Sequence, residues 1–128
     1  MSRRITQYLD LAIEIAKASP NTKHIHASVL VKGKRILAVG MNTERPISPH
    51  SHYTRHAEQD VFRNYRHRLI RAELFLARLT PGRVVSTSEP CETCGPWLLE
   101  NTKVKRVYFT TEPDAFDWLD LASMRRNN

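Results

Sequence analysis

The chain of 128 residues is predicted to fold as one α/β domain, a mixed sheet of four to five strands with helices on both faces. Three observations predict it. Stretches with helical apolar spacing alternate with short β-rich runs, a hairpin precedes the first such alternation, and the length suits one compact core rather than two. Apolar residues make up 41% and charged residues 26%, the composition of an ordinary globular domain and far from that of a disordered chain.

Ile5, Tyr8, Leu9, Ala12, Ile13 and Ala16 recur at helical spacing with polar residues between them, so residues 3–18 should form an amphipathic helix. Ser19, Pro20 and Asn21 stop it. HASVLVK and RILAVGM flank Lys32, Gly33 and Lys34, the composition of a hairpin with strands at about 25–32 and 35–41. Residues 43–54, TERPISPHSHYT, lack an apolar period and read as a loop. Val61, Phe62, Tyr65 and Leu69 then restore helical spacing, giving a helix of about 55–69. AELFLARL reads as a strand, Pro81 and Gly82 as a turn, and VVSTS as extended backbone. Pro90 suits the opening of a further helix, because a first-turn residue needs no amide donor, and Trp97, Leu98 and Leu99 supply its apolar surface. KVKRVYFTT, residues 103–111, alternates as a strand. DAFDWLDLASM is read as a short helix in preference to an edge strand.

Several classes are excluded. No apolar run approaches the roughly 20 residues that cross a bilayer, and charge enters every turn of the first helix, so neither a membrane span nor a secretory leader is expected. Cys91 and Cys94 lie too close in sequence to staple distant parts of a fold. They read as a metal-binding or redox pair in a reducing compartment, and the expected location is cytoplasmic. The net charge of +7, from 20 Lys and Arg against 13 Asp and Glu, either attracts phosphate-bearing partners or serves solubility alone.

Two fragments carry chemistry: His56, Ala57 and Glu58 at the start of one predicted helix, and Pro90, Cys91, Glu92, Thr93 and Cys94 at the start of another. A Cys pair at this spacing on a first helical turn can aim both sulfurs at one metal, and the positive end of the helix dipole favours the thiolates. An imidazole from the neighbouring helix completes three protein ligands and leaves a tetrahedral corner open to water. Glu58, two residues past His56, can approach that corner without ligating and accept the proton of a water acidified by zinc. A structural zinc ribbon would need a fourth ligand, for which His24, His26, His50 or His52 would have to serve, and it would leave Glu58 unexplained. A bare CxxC redox pair needs neither His nor Glu.

HAE followed by SEPCETC resembles the cytidine and deoxycytidylate deaminase superfamily, whose signature is H-x-E with a later P-C-x-x-C. The order helix, hairpin, loop, HAE helix, strand, PCxxC helix and strand is similar to that family's core from about residue 3 to 111. The resemblance implies a three-layer α/β/α cytidine-deaminase-like sandwich, with zinc held by His56, Cys91 and Cys94 and protons moved by Glu58. It further implies that Asn42, the amide of Ala57 and the carbonyl of Glu89 hold the substrate, and that the protein is a homo-oligomer. For Asn42 the alternative is a turn residue that ends a strand. Three features depart from the family pattern. Pro96 falls inside the PCxxC helix, where it removes a hydrogen bond to Glu92; TPGRVVSTS separates the AELFLARL strand from the motif; and little chain beyond Leu121 is left for a fifth strand and a closing helix.

The resemblance implies a hydrolytic deaminase that turns the amino group of a nucleobase into a carbonyl, and the expected substrate is cytosine in a nucleoside or nucleotide such as cytidine or dCMP. Single-stranded DNA or RNA is the second expectation, and a noncatalytic zinc-stabilised nucleic-acid-binding module is the reading from another class. Arg45, His50, His52 and Arg55 surround the expected pocket mouth as phosphate donors or as a solvated loop. Phe116 and Trp118 either stack on a base or pack in the core. A polynucleotide substrate calls for several of Arg63, Arg66, Arg68, Arg71, Arg125 and Arg126 to form one stripe.

Overall fold

A computed structural model describes residues 3–23, 25–42, 56–65, 69–90 and 94–126. Helix α1 (Arg3–Lys17) leads into the hairpin β1 (Ile25–Lys32) and β2 (Arg35–Met41), followed by helix α2 (Ala57–Asn64) and strands β3 (Glu73–Leu79) and β4 (Val85–Ser86). Helix α3 (Cys94–Asn101), the hairpin β5 (Arg106–Glu112) and β6 (Ala115–Asp120), and helix α4 (Leu121–Arg126) complete it. The sheet order is β2-β1-β3-β5-β6, with β4 attached to β3. β3 and β5 run parallel, and the other pairs are antiparallel.

Successive strand residues point to opposite faces, and the two faces bury different helices. Val29, Val31, Phe75, Ala77 and Tyr108 pack with Tyr8, Leu9 and Ala12 of α1. Leu30, Leu74, Leu76, Val107 and Phe109 pack with Val61 and Phe62 of α2 and Leu98 of α3. The result is the expected three-layer α/β/α sandwich. Being covered on both sides, β1 is apolar almost throughout rather than alternating.

The end of the chain differs from expectation. The sheet has six strands, counting the two-residue β4, and DAFDWLDLASM divides into strand β6 and helix α4 instead of forming one short helix. The strand is possible because Asp114 adopts a left-handed φ of 63°, which turns the chain back tightly. Phe116 then joins the α1 face. Trp118, two residues on, shares that face but is 51% exposed, so it neither packs in the core nor reaches the α2 side of the sheet. Helix α2 is also shorter than the predicted 55–69. Tyr65 is already extended, with φ −131° and ψ 104°, and Leu69 is 71% exposed, so its helical spacing is coincidental.

Helix α2 is tied closely to the edge strand β2. The Asp60 carboxylate accepts the Met41 amide at 3.0 Å, and Asn64 Nδ2 donates to the Val39 carbonyl at 2.7 Å. These side chains occupy backbone groups that an edge strand otherwise offers to another chain. The contact is close because Gly40 faces the helix: a Cβ there would lie 2.5 Å from the Val61 nitrogen and 2.9 Å from the Ala57 carbonyl oxygen. Gly40→Ala is therefore expected to push α2 outward and cost about 1–3 kcal/mol, read as a lower thermal midpoint together with weaker zinc uptake. An unchanged midpoint would show that the helix has room to spare.

Candidate active site

The site forms where the first residues of α2 and α3 meet. His56 caps α2 with φ −79° and ψ 156°, and its carbonyl accepts the amides of Gln59 at 3.1 Å and Asp60 at 2.9 Å. Gln59 Oε1 in turn accepts the His56 amide at 3.3 Å, the reciprocal arrangement that fixes a helix entry. Glu58, the second residue of α2, is 6% exposed, and its negative charge sits at the favourable end of the helix dipole. Ala57 is buried, and its carbonyl accepts the Ser28 hydroxyl of β1 at 2.7 Å. That bond anchors the start of α2 to the sheet.

Cys94 opens α3 and is fully buried, with its Sγ 3.1 Å from His56 Nδ1. One ligand atom each from His56, Glu58 and Cys94 lies within 4.8 Å of the others. The sum of ordinary Zn–S and Zn–N bonds is about 4.4 Å, so a single zinc ion can touch both the sulfur and the imidazole. The donor set, one nitrogen and one sulfur beside a carboxylate, suits zinc. Cys91 lies outside the described residues, as do His24, Arg45, His50, His52, Arg55, Arg66 and Arg68. Pro96 lies within α3 (Cys94–Asn101), which continues through it; Glu92, the acceptor that its missing N–H would have used, lies outside the described residues.

The other predicted contacts fall at the same end of the sheet or in the segment leading to α3. Asn42 follows β2, and its Oδ1 accepts the His26 amide at 3.0 Å and Asn21 Nδ2 at 3.1 Å, while its carbonyl accepts the same Asn21 Nδ2 at 2.9 Å. The carboxamide is thus held by its oxygen. The amide of Ala57, in the first helical turn, has no acceptor within the helix. Glu89 is exposed and follows Ser88, whose buried hydroxyl bonds to the Leu76 carbonyl at 3.0 Å and to Thr110 Oγ1 at 2.9 Å. Ser88 therefore sews the segment leading to α3 between β3 and β5, whose pairing runs only from Glu73–Arg106 to Leu76–Phe109. This opening beyond the carboxyl ends of parallel strands is where α/β folds receive ligands.

Of the arginines named for a nucleic-acid stripe, Arg125 is not available. Its guanidinium donates to the carbonyls of Val104 at 2.6 Å, Thr102 at 2.7 Å, and Leu98 and Leu99 at 3.1 Å each. Burial lowers its pKa from the ordinary arginine value, and it serves the end of α3. Arg63 lies 3.7 Å from Asp60. Arg78 of β3 belongs to no sequence motif, and its one signal is a basic residue within the mostly apolar ELFLARL.

Comparison with curated protein sequences finds no match. Among solved structures, the fold is similar to the dCMP deaminase of cyanophage S-TIM5 in apo form, at 21% identity and TM-score 0.65 over 99% of this chain and 94% of that one. The same phage enzyme in complex with dCMP and dUMP aligns at 22% identity and TM-score 0.64, over 88% of this chain and 85% of that one. Cytidine deaminase from Burkholderia pseudomallei aligns at 18% identity and TM-score 0.62, over 97% of this chain and 96% of that one. The family model described as the cytidine and deoxycytidylate deaminase zinc-binding region matches residues 2–111. With that zinc-binding region spanning most of its length, the chain belongs to the cytidine and deoxycytidylate deaminase family.

Proposed function

We propose that the protein is a zinc-dependent hydrolytic deaminase that converts cytosine in a nucleoside or nucleotide to uracil. The observation that carries this reading is the cluster of Glu58 with His56 and Cys94 at two helix starts. His56, Cys91 and Cys94 would hold the zinc ion, which when bound would supply the Lewis acidity that lowers the pKa of a neighbouring water toward neutrality. Glu58 takes a proton from the attacking water and passes it to the ring nitrogen next to the amino-bearing carbon. It then carries the second proton to the departing amine, so water and cytosine become uracil and ammonia. The amide of Ala57, the carbonyl of Glu89 and the carboxamide of Asn42 orient the base and its sugar. Glu58 is buried, which limits the access of bulk water to the proton it carries.

The noncatalytic module is the weaker alternative: it would require Glu58 to be a fourth zinc ligand, whereas the family's signature keeps this Glu off the metal as the proton carrier. Activity on single strands has the net charge of +7 in its favour, but Arg125 is committed to α3. The test is incubation of the zinc-loaded chain with cytosine, adenine and guanine bases, nucleosides, nucleotides and single strands, scoring ammonia and product mass. Ammonia should come from cytosine compounds, should cease after chelation, and should depend only weakly on salt for mononucleotides. Release from adenine or guanine compounds alone would overturn the cytosine assignment.

A further inference from the structure

Arg78 stands two residues beyond Leu76 on β3 and so points with it to the face covered by α2 and α3. Its residue is half-buried, and its Nε is buried without a hydrogen-bond partner. Among the described residues its guanidinium makes no hydrogen bond or ion pair. Arg4, Arg83 and Arg125, by contrast, all donate to carbonyl or carboxylate oxygens. Desolvating part of a guanidinium without a counter-charge is costly, and a ligand that brings negative charge offsets that cost.

Its position favours such a ligand. Arg78 lies opposite His26 of β1 and Ser86 of β4, and the His26 amide holds the side-chain oxygen of Asn42. Helix α2 aims its first residues at this end of the sheet, since Asp60 reaches Met41 while Asn64, a turn later, reaches Val39. Ser28, which anchors Ala57, pairs with Leu76. Arg78 is therefore two residues along, roughly 6.8 Å, and one strand across, roughly 4.8 Å, from that anchor. That offset leaves room beside the Glu58 end of α2 for a ligand larger than a free base. The amino end of α2 and the net charge of +7 add to the local attraction for an anion.

We propose that Arg78 binds a phosphate of the substrate, which makes the pocket selective for a cytosine nucleotide over the nucleoside. The identity of the base rests on the deaminase reading above; the anion site does not. The forked guanidinium suits phosphate oxygens, which it can engage through two donors at once.

The test titrates the zinc-loaded chain calorimetrically with dUMP, deoxyuridine and a short single strand carrying one uracil, product-like ligands that do not turn over. The wild type should bind dUMP about 10–100-fold more tightly than deoxyuridine. Arg78→Met should erase that preference while changing deoxyuridine binding by less than about twofold, and Arg78→Lys should restore part of it. Thermal melts check both variants, and Arg78→Lys decides the matter alone if Arg78→Met does not fold. A preference for dUMP that survives substitution, or an equal loss for both ligands, overturns the assignment. Where the single strand binds more tightly than dUMP with the same dependence on Arg78, the phosphate belongs to a polynucleotide and Arg78 remains its site. Failure of the wild type to release ammonia from dCMP, with the Arg78-dependent preference intact, removes the deaminase reading alone.

Discussion

Glu58→Gln is expected to lower kcat on the best cytosine substrate by about 1,000-fold while leaving one zinc per chain and the fold in place. The glutamine fills the same buried volume and keeps one acceptor oxygen, but it cannot carry a proton between the water, the ring nitrogen and the leaving amine. Its stability cost should be small, on the order of 0.5 kcal/mol, because a charge is lost from the favourable end of the α2 dipole. Three measurements decide the case together: ammonia release, metal content by elemental analysis, and thermal melting. Activity within tenfold of the wild type, with zinc bound, would remove Glu58 from the mechanism. Loss of zinc along with activity would instead make the carboxylate a ligand, as its distance from His56 and Cys94 would also permit.

The cluster of His56, Glu58 and Cys94 was legible in the sequence because its chemistry is local. Each sits at a helix start, and helix starts are written in a few adjacent residues: the Gln three positions after His56 that closes on its amide, and the P-C-x-x-C run whose last Cys is the first described residue of α3. The two apolar periods likewise placed the sheet and its covering helices. What escaped depends on partners remote in sequence. Gly40 looks like any strand glycine until α2 lies against it. Arg78 reads as a flaw in an apolar strand, since only the register of β1 and β4 on β3 shows that it borders His26 and Ser86. Strand β6 is disguised in the sequence because Asp117 and Asp120 interrupt the aromatic pattern. Asp117 in fact accepts the Trp118 amide at 2.8 Å, so the acid belongs to the local backbone of an edge strand.

Arg125→Met is expected to destabilise the domain by about 3 kcal/mol, a fall of roughly 10 °C in thermal midpoint for a domain of this size. The reason is the end of α3. A helix leaves its last carbonyls without intrahelical donors, and here one guanidinium from α4 serves Leu98, Leu99, Thr102 and Val104, partners 21 to 27 residues away in sequence. Methionine preserves much of the aliphatic stem but removes the donors to all four carbonyls, of which Leu98 keeps the Thr102 amide and hydroxyl, and the cationic complement to the negative end of the helix dipole disappears with it. Because the other end of α3 is Cys94, loosening the clamp should also weaken zinc binding, visible as earlier metal loss to a chelator during heating. Arg125→Lys should recover only part of the loss, since a single ammonium cannot span four carbonyls as a planar fork does. If Arg125→Met melts with the wild type, α4 is an ornament on the sheet. If it melts early yet holds zinc as tightly, the clamp stabilises the fold without positioning Cys94.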